Sequence, residues 1–127
     1  MHHQTPQVAP AFTRPDGAGI DQAGNVNAGP TGNLRAPTVG SGLAVKTGAN
    51  SRLLLNHGPL VGGTLLVADT TVTVNTVVLV TGRSDGAAVG GLNENFAARV
   101  PGASFTVKST NAADTQHFDV LLVEAIP

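Results

Sequence analysis

The chain carries four histidines and eight carboxylates, and their spacing decides what chemistry they can do. His57 and His117 stand 60 residues apart and HExxH is missing, so no metal-ligand cluster is written into the sequence. His2-His3 reads as an exposed pair or a cloning remnant before it reads as a weak metal site. Cysteine is absent, which removes thiolate nucleophiles, disulfides and Cys-based metal sites together. Around Ser41, Val39-Gly40-Ser41-Gly42 has neither the spacing nor the strand context of a nucleophile elbow. Gly17-Ala18-Gly19 lies among prolines and opens no helix, so it is no phosphate-binding loop. Four aspartates sit beside turn residues, at Asp16-Gly17, Asp69-Thr70, Asp85-Gly86 and Asp114-Thr115, where the carboxylate ordinarily satisfies backbone amides. Asp119 and Glu124 are expected to pair with Arg99 or Lys108 across strands. These residues predict no enzyme, no cofactor and no metal.

Composition excludes further classes. The net charge is −1 and only 12% of residues are charged, so no basic field exists to hold nucleic acid or an anionic membrane. The first ten residues lack the apolar core of a secretory signal, and no run approaches the ~18 apolar residues of a membrane span. Trp and Tyr are absent, and Phe12, Phe96, Phe105 and Phe118 are the only aromatics. That scarcity weighs against recognition surfaces built on aromatic platforms.

What remains to be explained is a β-rich chain. From 72 to 80 the even positions are Val72, Val74, Thr76, Val78 and Val80, while Thr71, Thr73 and Asn75 stand between them. A period of two in β-branched residues predicts a strand with one buried face. Similar alternation or apolar runs predict strands within 43–47, 51–56, 64–69, 71–74, 76–81, 93–100, 103–109 and 116–125. That is about eight short strands at the spacing of an all-β sandwich. Phe96, Phe105, Phe118 and Leu122 are the expected core. The last strand is apolar on both faces, so Leu121 and Val123 are the expected contact with another subunit.

Residues 1–42 differ. They hold seven glycines and five prolines, with Val8, Phe12, Ile20, Val26, Leu34 and Val39 spaced singly. Such a segment cannot bury enough apolar surface alone to offset its ordering entropy. It is either a disordered tail or an extended arm that orders on a partner, and the low charge and regular apolar spacing favour the arm. The chain thus divides into a 1–42 arm and a 43–127 domain, which is small enough to need stabilisation by oligomerisation.

The segments 62–76 (GGTLLVADTTVTVNT), 90–92 (GGL), 102–115 (GASFTVKSTNAADT) and 118–125 (FDVLLVEA) resemble a domain of tailed-bacteriophage head-decoration (cement), head-fibre and tail-fibre proteins. The resemblance implies a small antiparallel jelly-roll sandwich that assembles as a homotrimer, with no catalytic residues to carry over. A chain beginning 42 residues before this domain has no room for a fibre shaft and looks like a cement protein on the outer surface of the head. On that expectation Val8, Phe12, Ile20, Val26 and Leu34 seat the arm in grooves of the major capsid protein, and Arg14 and Arg35 meet its acidic loops. The alternative is a receptor- or glycan-binding module at a fibre tip, with a polar site made from Asn93, Asn95, Arg99 and the 82–92 loop. A small hydrolase would need a deep polar pocket, for which the sequence gives no sign.

Overall fold

A computed structural model of the chain describes residues 12–13 and 18–127; Val8 and Arg14 lie outside them. The chain divides into two compact units between Leu43 and Ala44. In the first unit, β1 (Phe12–Thr13), β2 (Gly19–Ile20) and β3 (Val26–Asn27) form a small antiparallel sheet. Its register aligns Phe12 with Ile20 and Ile20 with Val26, so three residues read as separate pegs stand in one row. The reversal between β2 and β3 is closed by Asp21, whose Oδ1 accepts the Asn25 amide at 2.9 Å. Residues 28–43 hold no strand.

The second unit is all-β, with two three-stranded antiparallel sheets. One orders β4 (Leu53–His57), β9 (Phe118–Glu124) and β6 (Thr76–Gly82), with β9 central. The other orders β5 (Thr64–Ala68), β8 (Ser104–Ser109) and β7 (Leu92–Glu94), with β8 central. β4 pairs with β9 and β5 with β8, a nested order that rolls the chain into a six-stranded jelly roll. The two central strands supply the middle of the core: Phe118, Val120 and Leu122 from β9, Phe105 and Val107 from β8. Leu54, Leu60, Val67 and Val72 complete the buried cluster.

Three expected strands take other forms, each for a visible reason. Residues 71–74 form a turn before β6, because Asp69 Oδ1 accepts both the Thr71 amide (2.7 Å) and its hydroxyl (2.5 Å). Thr76 Oγ1 then accepts the Thr73 amide at 2.8 Å, so side-chain oxygens take the donors a ladder would use. Val72 is consequently buried while Val74 is 65% exposed, although both belong to the same alternating set. Residues 43–47 contribute only a bridge from Thr47 to Leu53. After β7 the chain leaves the sheet as a 3-10 turn, Phe96–Ala98. Phe96 is 66% exposed and is not a core residue, whereas Phe105 and Phe118 are fully buried. The even positions do point inward along β7, at Leu92 and Glu94, but the chain turns away before Phe96 arrives.

Candidate functional site

The outer face of the β4–β9–β6 sheet is apolar. Leu121 stands opposite Leu53 on one side and Leu79 on the other, and Val123 stands opposite Val77. Val77, Leu79 and Val123 are between 45% and 50% exposed, and Leu53 and Leu121 are half-buried. A strand whose two faces are both apolar explains this: Phe118, Val120 and Leu122 fill the core, and the intervening Leu121 and Val123 must face outward. A shallow groove of about 310 Å³ runs over Leu53, Leu79, Thr81, Asp119 and Leu121.

One ion pair borders this face, and a second lies on the core side of the same sheet. At one end, Arg83 donates from Nε (3.0 Å) and Nη2 (2.9 Å) to Asp119 Oδ1. The same oxygen accepts the Asn56 amide at 2.8 Å, and that bond, helped by Arg83, holds the Asp119 carboxyl below its ordinary range. On the core side, where Glu124 follows Phe118, Val120 and Leu122 and stands opposite buried Thr76, Arg52 Nη2 lies 3.2 Å from Glu124 Oε2, and Thr73 Oγ1 donates to Oε1 at 2.7 Å. The Thr73 hydroxyl and then Arg52 lower the Glu124 pKa. The expected partners Arg99 and Lys108 are not used by either acid. Arg99 is buried against Glu94, its Nε 2.7 Å from Oε2, with Nη1 donating to the Thr73 carbonyl at 2.9 Å. An apolar centre bordered by polar and charged residues has the anatomy of a protein contact surface.

The loop 83–91 is pinned rather than free. Asp114, fully buried, accepts from Ser109 Oγ (2.7 Å), Gly90 N (2.9 Å), Gln116 N (2.9 Å) and Gln116 Nε2 (2.6 Å). Burial alone would raise its pKa, but these donors outweigh burial and hold the carboxyl far below its ordinary range. Gln116 also donates to the Gly90 carbonyl and accepts the Ser84 amide at 3.1 Å. Asp85, expected in a tight turn with Gly86, instead accepts the His117 amide at 2.7 Å and contacts its Nδ1 at 2.9 Å. Asp69 and Asp114 each serve the backbone amide two residues on, as turn aspartates do, but Asp114 also takes the Gly90 amide 24 residues away and Asp85 takes the His117 amide 32 residues away.

Of the residues singled out in the sequence, Leu121 and Val123 share the apolar face with Leu53, Val77 and Leu79. β6 has a two-sided apolar run, 77–80, as long as that of β9, 120–123, so run length does not separate them; what brings Leu53, Val77 and Leu79 beside Leu121 and Val123 is register. Ile20, Val26, Leu34 and Arg35 are exposed in the first unit. Asn93 and Asn95 lie together by β7, but Arg99 is locked to Glu94 and does not join them in a polar site. Among the described residues, no three His, Cys, Asp or Glu side chains are grouped to hold a metal ion. Nor is any helix there long and apolar enough to cross a membrane.

No curated protein and no solved structure matches the chain. A family model does, described as K1 capsule-specific polysaccharide lyase, C-terminal domain, and it aligns with residues 58–122. The aligned stretch runs from the turn before β5 to the last core leucine of β9, taking in both central strands. It covers more than half of the 127 residues, and the chain belongs to the family of K1 capsule-specific polysaccharide lyase C-terminal domains.

Proposed function

We propose that the chain is a homotrimeric, non-catalytic module on the outer surface of a bacteriophage virion, assembled through the β4–β9–β6 face. The observation that carries this reading is the row Leu53–Leu121–Leu79, an apolar stripe across a whole sheet in which Leu53 and Leu121 are half-buried and Leu79 is exposed, with exposed Val77 and Val123 beside it. Burying such a stripe against further copies stabilises a small domain that has no disulfide. On the head, the module acts as a cement protein. Its trimer sits among neighbouring major capsid subunits, and residues 1–42 of each copy reach over them, with Val8, Phe12, Ile20, Val26 and Leu34 as apolar anchors and Arg14 and Arg35 as charged ones. Three arms acting together multiply modest contacts by effective concentration.

The test has two parts. Sedimentation equilibrium of the full chain is expected to return three times the 12.7 kDa monomer mass; a monomer at micromolar concentration refutes the assembly. Co-sedimentation with phage heads lacking the protein is expected to saturate at fixed stoichiometry, and to weaken greatly when residues 1–42 are removed. Unchanged capsid binding by 43–127 refutes the role of the arm.

A second reading is favoured by the family match. The matching domain is named for a lyase specific for a capsule polysaccharide, which supports a module at a polysaccharide-facing fibre or spike instead of on the head. In that case neither form binds heads, and the trimer is retained.

A further inference from the structure

The strand pattern at 43–47 is left without a sheet. Leu43, Val45 and Thr47 alternate with Ala44 and Lys46, yet only Thr47 pairs, through its bridge to Leu53. That bridge is parallel, so residues 44–46 run back past the start of β4 and away from its ladder. Leu43 is 88% exposed, and among the described residues the backbone of 43–46 makes no hydrogen bond. Alternation with an unpaired backbone describes a strand that lacks its neighbour.

A free edge of matching length lies at the side of the sandwich. The Gly63 carbonyl accepts the Ser109 amide at 2.7 Å, and the Asp69 amide donates to the Ala103 carbonyl at 2.8 Å. Odd residues of β5 therefore bond β8, and the N–H and C=O groups of Leu66 and Ala68 point away from it, to the open edge. Val61 closes this edge at one end by exchanging bonds with Thr64. Asn50 closes it at the other, its Oδ1 accepting the Thr70 amide at 3.0 Å. Residues 65–69 between these stops span ~17 Å, the extended length of 43–47. Beside the edge runs a groove of about 490 Å³ shared by Leu66 and Ala68 with Leu54, Leu55 and His57 of β4. No Asp, Glu, Lys or Arg lines it, and Leu55 and Leu66 are 60% and 62% exposed.

We propose that residues 43–47 of one copy add as a strand to the β5 edge of the next copy. The uncharged row Leu43, Val45 and Thr47 meets the uncharged groove over Leu55 and Leu66, while Lys46 stays on the solvent side. The open amides and carbonyls of Leu66 and Ala68 gain partners, and an exposed edge is removed. The occupant is a second copy because the bridge at Thr47 directs 44–46 away from their own β4. A segment seated in the groove of a neighbour is a heterologous contact, which closes into a ring when the rotation between copies is threefold. β4 joins this contact to the apolar face, since Leu53 stands in the Leu121 row while Leu54 and Leu55 line the groove. The inference rests on the homotrimer reading and adds strand exchange to it.

The chain has no cysteine, so disulfide trapping reads the contact cleanly. Val45→Cys is combined with Leu66→Cys in one full chain and with Ala68→Cys in another, and both are oxidised and run on a denaturing gel. The expected result is covalent dimers and trimers from at least one of the two. By sedimentation, Val45→Asp should weaken association roughly tenfold or more, because it sets a charge against an uncharged groove. Lys46→Ala, on the solvent side, should leave association unchanged. A trimeric parent whose cysteine pairs close only within one chain, or not at all, overturns strand exchange and leaves the trimer standing. So does a Val45→Asp trimer as tight as the parent. A monomeric parent overturns the homotrimer reading and this inference with it.

Discussion

Leu79 stands directly opposite Leu121 in the β6–β9 ladder, and both side chains leave the sandwich on its outer side. Two leucines paired across a ladder normally mark a buried face, and here the face is buried by nothing within the described residues. Leu121→Asp is therefore expected to leave the β circular dichroism spectrum intact and to break association. Placing a carboxylate at the centre of an apolar contact should cost at least about 2 kcal/mol of association, roughly 30-fold in dissociation constant. Sedimentation of Leu121→Asp beside Lys108→Gln, which alters the opposite face, reads this directly. Unchanged mass in both would remove Leu121 from the interface.

The two phenylalanines Phe105 and Phe96 separate core from surface. Phe105 is fully buried at the middle of β8, and Phe105→Ala should destabilise the fold by about 3–5 kcal/mol. Phe96→Ala removes an exposed ring and one contact with Arg99, and should cost no more than about 1 kcal/mol. Urea midpoints of the two variants, measured at one protein concentration, check the contrast. A large loss from Phe96→Ala in the monomeric chain would contradict its exposed position.

The class of fold was legible because strand periodicity survives in the strands that span the sandwich: β8 and β9 alternate as their sequences do. Legibility failed where side chains compete with the ladder. Nothing in the pattern of Val72 and Val74 reveals that side chains of Asp69, Thr76 and Thr73 will take the amides of Thr71, Thr73 and Asn75 around them. At Phe96 the deciding contact is Arg99 folding back onto Glu94, a pairing five residues apart that alternation cannot register. The apolar face was half visible. β9 and β6 are each apolar on both sides, over 120–123 and 77–80, but that Leu121 lies between Leu53 and Leu79 follows only from register, which a sequence does not display.

Acid should unfold this domain through named carboxyls. Asp114 is held far below its ordinary pKa by the donors Ser109, Gln116 and Gly90, which outweigh its burial; Asp119 is lowered by the Asn56 amide and Arg83, and Glu124 by Thr73 and Arg52. A carboxyl lowered in the folded state contributes stability that is complete above its unfolded pKa, near 4, and is lost as pH falls through the folded value. The thermal midpoint is therefore expected to hold from neutral pH to about 5 and to drop steadily below about 4. Asp114→Asn, which sets an amide NH2 among donors, should lower the midpoint at pH 7 and flatten the acid limb. A parallel curve for Asp114→Asn would show that Asp114 does not drive the acid transition.

The neighbouring glycines 62 and 63 give a last contrast, because both have positive φ but only one is crowded. Gly62 has φ +62° with nothing within 4 Å of the point where a Cβ would stand, so Gly62→Ala carries only the left-handed backbone cost of about 1–2 kcal/mol. Gly63 has φ +72°, and a Cβ there would lie 2.8 Å from Ala112 Cα and closer still to the Asn111 carbonyl oxygen. Its own carbonyl accepts the Ser109 amide at 2.7 Å, so the 109–112 turn cannot retreat without loosening the start of β5 against the end of β8. Gly63→Ala should therefore cost about 3 kcal/mol or more, the backbone term plus a forced displacement. Amide exchange should report the damage at Lys108 and Ser109 first, while Gly62→Ala leaves those amides protected. Equal stability of the two variants would mean that the 109–112 turn yields freely, and the close packing of that turn on Gly63 would then not be what anchors the β5–β8 ladder.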